Sequence, residues 1–461
     1  MILPRLIVAD EYRPGKVPAG VLIASALKEM GYKLKLFAGS VDETALRSLQ
    51  LLCNQPVTLL DPVLCGEREN FRWLFQCVAS PECINLVITN LGARWTKDSP
   101  FRIPRECLLL CEWLDCEMIP VVYSDTSSTI TVKTVMEIVR QLESAGDARG
   151  GVHSILFRSV LNNREYELLE RELGRHLSSI SIGSVPKAMD RDLPSVVELC
   201  SEEAGRGVLP LRSASRQLRG PIGTVMWPYF SAMAQIAPRW SRQPPLCDPI
   251  AEAGKVNIAV IRHPVLTLGG DGTERLMQAL GCNLVDVPLE GAIGHSVPIH
   301  GVYIPHGLSH LVLPKFFGNL YVKTMLTRGS SGSSFLLAEG GSSPLLGDKI
   351  QLPSGGGEGR GFGTMSFTSV YKGPAFVAPH KRILRAAGEN PLLSGRETAW
   401  GYGSANLVLE SEGDEGCWET SENRDDPPSG FEGRAFGRAL ATAMRVEFWS
   451  CPDSFRRWLE G

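Results

Sequence analysis

Phe335-Leu336-Leu337-Ala338-Glu339-Gly340-Gly341-Ser342-Ser343-Pro344-Leu345 is an apolar strand that runs into a turn of small residues and out into an apolar segment. In an α/β domain this is the pattern of a nucleophile elbow: a strand delivers one side chain to the tip of the sheet, and a helix begins behind it. The tip residue here is Gly340, which has no side chain. A position shaped to hold a nucleophile holds none.

The surrounding composition is that of a globular protein. The chain has 461 residues, enough for two or three domains, with 43% hydrophobic and 21% charged residues. Its 47 basic and 50 acidic residues leave a net charge of −3, which makes no electrostatic case for a nucleic-acid or membrane partner. Met1-Ile2-Leu3-Pro4-Arg5-Leu6 lacks the length and cleavage pattern of a signal peptide, and no stretch approaches 18 uninterrupted apolar residues. A cytoplasmic location is the expectation.

Working outward, the chain alternates strands and helices. Leu6 to Ala9 reads as a buried first strand, Ala19 to Met30 as a helix stopping before Gly31, and Lys33 to Ala38 as the second strand. Asn85 to Asn90, Ile119 to Asp125, His153 to Arg158 and Ile180 to Ile182 continue the pattern, with helices over Thr131 to Ala145 and Asn163 to Leu177. Pro238 to Pro249 breaks every periodicity and reads as a linker. Val256 to Ile261, a helix over Gly272 to Leu280, Cys282 to Val287 and His300 to Pro305 then lead to the elbow. Beyond it, Ser354 to Gly363 is Gly-rich and reads as a mobile loop, Glu410 to Arg434 as a polar connection, and Ala435 to Met444 and Ser454 to Leu459 as helices. This divides the chain into an N-terminal domain over 1–237, a linker over 238–254 and a C-terminal domain over 255–461, each a doubly wound α/β sheet.

Three groups of residues could carry chemistry. A P-loop needs glycines to let N–H groups approach phosphate, a Lys, and a Ser or Thr for magnesium. In the first βα loop only Gly15-Lys16 meets that need, followed by Val17 and Pro18. It is either a loop with an incidental Gly-Lys or a vestigial P-loop. His306 and His310 have i,i+4 spacing, with His295 and His300 close by, and are either loop and cap histidines or metal ligands. Of the twelve cysteines, Cys107, Cys111 and Cys116 cluster without metal-site spacing and read as buried thiols.

The order of these pieces resembles the cobyrinic acid a,c-diamide synthase family over nearly the whole chain. Leu6 to Lys16 occupies the P-loop position, and Leu59-Leu60-Asp61-Pro62 is similar to a leucine-Asp-Pro landmark. Asn163-Arg164-Glu165-Tyr166-Glu167-Leu168-Leu169 is similar to N-R-…-H-Y-E-L-L. Ala338-Glu339-Gly340-Gly341 matches A-E-C-G-G except at the cysteine, and Phe448-Trp449-Ser450-Cys451-Pro452 resembles the end of H-L-H-F-A-S-N-P.

The resemblance implies an N-terminal P-loop-type, dethiobiotin-synthetase-like domain and a C-terminal class I glutamine-amidotransferase-like domain. It implies a carbon–nitrogen ligase that uses ATP and magnesium to amidate tetrapyrrole carboxylates with ammonia from glutamine. Against that pattern, the nucleophile position is Gly340, the base position is Arg445 with Glu447 at the second histidine, and Val17 replaces the magnesium-binding Thr. Thr89-Asn90 stands where the family carries a metal-coordinating acid. A guanidinium cannot accept a proton at neutral pH.

The expectation is a glutaminase-dead homologue with a tetrapyrrole or corrinoid ligand, or one acting as a homodimer or as the partner of an intact paralogue. Gly15 and Lys16 are its remaining nucleotide-binding candidates. The alternatives are an ammonia-using, ATP-dependent tetrapyrrole amide ligase and an interaction module.

Overall fold

The computed structural model describes residues 2–92, 101–124, 127–144, 152–201, 203–220, 224–250, 256–291, 297–329, 332–411 and 416–461. Its contacts separate two units. One comprises Met1–Pro62, Phe75–Leu199 and Glu203–Gln243, the other Val63–Leu74, Cys200–Glu202 and Pro244–Gly461.

The first unit is built on strands β1 (Arg5–Glu11), β2 (Leu34–Ala38), β3 (Val57–Leu59), β4 (Ile84–Gly92), β5 (Met118–Tyr123), β6 (Ser154–Val160) and β7 (Ile180–Pro186). They form one sheet in the order β3-β2-β4-β1-β5-β6-β7, and every pairing is parallel. All seven residues of β1 are buried, as expected of a central strand covered on both faces. Helix α1 (Ala19–Glu29) follows β1 and buries its first nine residues, Ala19 to Leu27. The order puts β4, β2 and β3 on one side of β1, and β5, β6 and β7 on the other. In such sheets the crevice for a ligand opens beyond the carboxyl ends of the strands where the order reverses. Elsewhere in this unit the helix Arg105–Leu114 buries Cys107 and Cys111, and Cys116 is buried just beyond it. Burial pushes the Cys116 thiol up to about 12, so it behaves as a small apolar side chain.

The second unit contains a mixed sheet that includes β8 (Asn257–Arg262), β9 (Asn283–Pro288), β10 (Gly301–Ile304) and β11 (Phe335–Glu339). Two further strands, Ala439–Thr442 and Arg434–Phe436, complete it beside β11. These replace the helix expected over Ala435 to Met444. The alanines favour a helix locally, but Gly437 at φ +57° turns the chain, and Ala439–Thr442 pairs in parallel with β11 and is fully buried. Sheet pairing overrides propensity.

The second sheet of this unit was not read from the sequence. Its main pair is Thr368–Ala386 against Thr398–Glu410, antiparallel, with Arg445–Glu447 on the far side of the latter. Trp418–Ser421 and Gly430–Glu432 lie inside the expected polar connection and pair as an antiparallel hairpin. The Gly-rich stretch, expected as a mobile loop, contains Glu358–Arg360 paired with Lys349–Gln351. The fold is therefore α/β, with an N-terminal parallel-sheet unit and a C-terminal mixed-sheet unit. Among the described residues no helix is long and apolar enough to cross a membrane.

Candidate functional site

The elbow stands at the carboxyl end of β11, as its sequence requires. Gly340 has φ +54°, the left-handed conformation that glycine adopts without a Cβ penalty, and a short 3-10 helix Gly340–Leu346 follows. The space a side chain would enter is filled. A Cβ on Gly340 would overlap His306 Nδ1 and stand 2.6 Å from Cε1 and 2.8 Å from Cγ.

The parallel register places His306 there. Ile304 of β10 pairs with Ala338 of β11, so residues two positions further on, His306 and Gly340, emerge side by side. His306 is 2% exposed. Its Nδ1 accepts the Gly341 N–H at 3.1 Å, and its Nε2 lies 3.3 Å from Ser404 Oγ. In a neutral ring, acceptance at Nδ1 puts the proton on Nε2, so this nitrogen cannot take a proton from Ser404. At an elbow the N–H after the nucleophile donates to the oxyanion. Here that N–H, on Gly341, is already bound to the imidazole.

Arg445, which the family resemblance sets at the base position, is 2% exposed. Its Nη1 lies 3.4 Å from Tyr402 Oη, while Nε and Nη2 have no hydrogen-bond partner among the described residues. Burial works against this cation, yet the neighbouring Tyr402, Glu447 and Glu339 outweigh it and hold it further into its charged range. Glu339 is buried and accepts from Tyr303 Oη at 2.6 Å, Val446 N–H at 3.2 Å and Thr273 Oγ1 at 3.5 Å. Burial raises its pKa against the pull of Arg445.

The turn that presents Arg445 is tied down by Glu432, which accepts from Thr442 Oγ1 at 2.9 and 3.0 Å and from Met444 N–H at 2.9 Å. Burial pushes this carboxyl up to about 7 from its ordinary 4.5. A carboxyl whose folded value lies above its unfolded one stabilises the fold fully below about 4.5 and loses that contribution as pH rises through about 7. Urea titrations between those pH values should show stability falling for the wild type. Glu432→Gln should flatten the slope; an unchanged slope would locate the titrating group elsewhere.

The histidine pair does not form a metal site. His306 fills the elbow, whereas His310 packs edge-on to Tyr371 with ring centroids 5.2 Å apart. Burial lowers the His310 pKa to about 4. His300 Nδ1 accepts from Asn257 N–H at 3.0 Å, and His295 lies outside the described residues. No group of three or more His, Cys, Asp or Glu side chains able to hold a metal ion occurs among the described residues.

In the first unit the loop after β1 carries Gly15 at φ +71° and Lys16. Lys16 Nζ is bound to Asp192 at 2.7 Å, and the two residues also form an isolated antiparallel bridge. Val17 is buried, with its N–H on Arg191 O. Thr89 is buried, and Asn90 Oδ1 accepts the Gly92 N–H at 2.7 Å. At the end of β1, Asp10 is 4% exposed and accepts the Gly20 N–H of α1 at 3.2 Å through one oxygen. Its other oxygen accepts from Arg158 Nη1 at 3.0 Å.

Arg158 is in turn held by Asp190 at 2.8 Å and by Val17 O at 2.6 Å. Its guanidinium and that of Arg13 both lie over the Tyr123 ring, at 4.7 and 4.6 Å. Asp190 also accepts from Ser159 Oγ at 2.5 Å, and Ser159 takes φ +63°, a strained value for a serine. Sequence reasoning missed Asp10, Arg158 and Asp190. The one local signal was the charged pair Asp10-Glu11 following the apolar run Leu6 to Ala9.

No family model matches the chain, and no curated protein matches it. Solved structures do. PurLQS from Thermotoga maritima is similar over 44% of this chain and 98% of its own, at 9% identity and a TM-score of 0.33. The MinC:MinD cell division protein complex of Aquifex aeolicus is similar over 46% and 95%, at 14% identity and a TM-score of 0.28. FlhF complexed with GTP and magnesium is similar over 40% and 66%, at 14% and 0.27. At these scores the likenesses carry no weight on function.

Proposed function

We propose that the chain is a glutaminase-dead homologue of the cobyrinic acid a,c-diamide synthases that works by binding a tetrapyrrole rather than by amidating it. The observation that carries this is the imidazole of His306 lying where a nucleophile's side chain would be, with the Gly341 N–H committed to it. Arg445 at the base position supports the same reading, since it stays charged and takes up no proton. In this reading residues 1–237 correspond to the dethiobiotin-synthetase-like domain and 255–461 to the amidotransferase-like domain, joined by 238–254. Removing a nucleophile costs the sheets nothing, so a binding role survives its loss.

ATP and magnesium do not fit the residues present. Lys16 is paired with Asp192, Val17 offers no side-chain oxygen, and the first amide groups of α1 are satisfied by Asp10.

The test is an absorbance titration of the purified protein with cobyrinic acid, sirohydrochlorin and haem, run beside a glutamine hydrolysis assay. The expected result is a saturable spectral shift with at least one tetrapyrrole and no release of glutamate. A flat titration with all three would sink the ligand, and glutamate release by the wild type that a change at the elbow abolishes would sink the rest.

A further inference from the structure

We propose that the Asp10 carboxylate is a built-in substitute for a phosphate group at the start of α1, and that it shuts the first unit to phosphate-bearing ligands. The N-terminus of a helix that follows a β-strand is a ready anion site, because its first N–H groups have no partner within the helix and the helix dipole adds positive potential. Helix α1 begins after Pro18, which provides no side-chain cap. The cap comes instead from ten residues back. Asp10 accepts the Gly20 N–H, with the Ala19 amide also acting on the carboxylate.

The other oxygen of Asp10 meets a cation, as a bound phosphate would. Arg158 is 1% exposed and is bound to Asp10, to Asp190 and to Val17 O. The helix amides and a buried guanidinium therefore converge on one carboxylate of this chain. The remaining charge is spent in the same way. Lys16 pairs with Asp192 and Arg13 with Glu11, so three cations face four carboxylates and the position repels a further anion. The strained φ of Ser159 belongs to this arrangement, because its hydroxyl holds the second oxygen of Asp190. Gly20 allows the close approach: a Cβ there would lie 2.8 Å from Ile88 Cγ2 of β4.

The inference is independent of tetrapyrrole binding and is read on a different ligand. Wild-type protein, Asp10→Ala and Asp10→Ser are each titrated with inorganic phosphate and with ATP plus magnesium, following the melting temperature and tryptophan fluorescence. The wild type should show no saturable response to either. Removing the carboxylate frees Arg158 Nη1 in both variants and the Gly20 N–H in Asp10→Ala, so both should bind phosphate at least tenfold more tightly than the wild type and melt several degrees higher in its presence. Saturable binding of phosphate or ATP to the wild type would overturn the proposal whether or not either variant folds. So would a variant with wild-type circular dichroism that binds phosphate no better. Asp10→Ser keeps one acceptor for the Gly20 N–H and decides the matter if Asp10→Ala does not fold.

Discussion

Gly340→Cys will destabilise the protein by about 2–5 kcal/mol and will not hydrolyse glutamine. Two costs add. A side chain at φ +54° costs roughly 1–2 kcal/mol relative to glycine. Forcing its Cβ into the His306 ring adds overpacking of roughly 1–3 kcal/mol. Gly340→Cys with His306→Gly removes the ring and should regain the overpacking share while keeping the backbone cost. Even then the thiol gains no base from Arg445, a buried guanidinium held in its charged form. Urea denaturation of the two variants and the wild type measures the first part, and a glutamate-release assay the second. A single variant as stable as wild type would mean that His306 does not occupy the elbow. Glutamine hydrolysis by the single variant would mean that Arg445 does not stand in the base position.

Arg158→Met will destabilise the first unit by about 3–5 kcal/mol near neutral pH. It leaves the buried carboxylate of Asp10 and the largely buried one of Asp190 without their shared cation, and breaking a buried pair from one side costs this much. The loss has a definite pH dependence. Burial already raises the Asp10 pKa above its ordinary 3.8 against the opposing pull of Arg158, and without Arg158 it rises further. A carboxyl with a raised folded pKa favours the folded state below its unfolded value and loses that contribution as pH rises. The stability deficit of the variant should therefore be smaller at pH 4.5 than at pH 7. Equal deficits would show that Arg158 acts by packing alone. Adding Asp10→Asn should relieve part of the deficit at pH 7 and little of it at low pH.

Much of the fold can be read along the chain. The strands of the first unit are apolar runs because both their faces are buried, and helix α1 ends before Gly31, which takes φ +90°. The elbow was legible because small residues after an apolar strand admit few conformations, and Gly340 takes the left-handed one. The second sheet of the C-terminal unit was not legible. Its strands pair across long separations, as Trp400 does with Glu447, and their turns and glycines read locally as loops. The Ala439–Thr442 strand was masked by alanines whose own preference is helical.

The sites divide in the same way. The sequence by itself determined which groups these positions offer: no thiol at Gly340, no proton acceptor at Arg445, no hydroxyl at Val17. Those are properties of single residues and need no partner to be stated. Only the tertiary structure decided what lies against them. His306 meets Gly340 because β10 and β11 are adjacent and in parallel register, and Asp10 meets Arg158, 148 residues away, because β1, β5 and β6 are successive strands of one sheet. Close packing leaves little empty volume beside a glycine, and the group that fills it is whichever one the sheet order brings alongside.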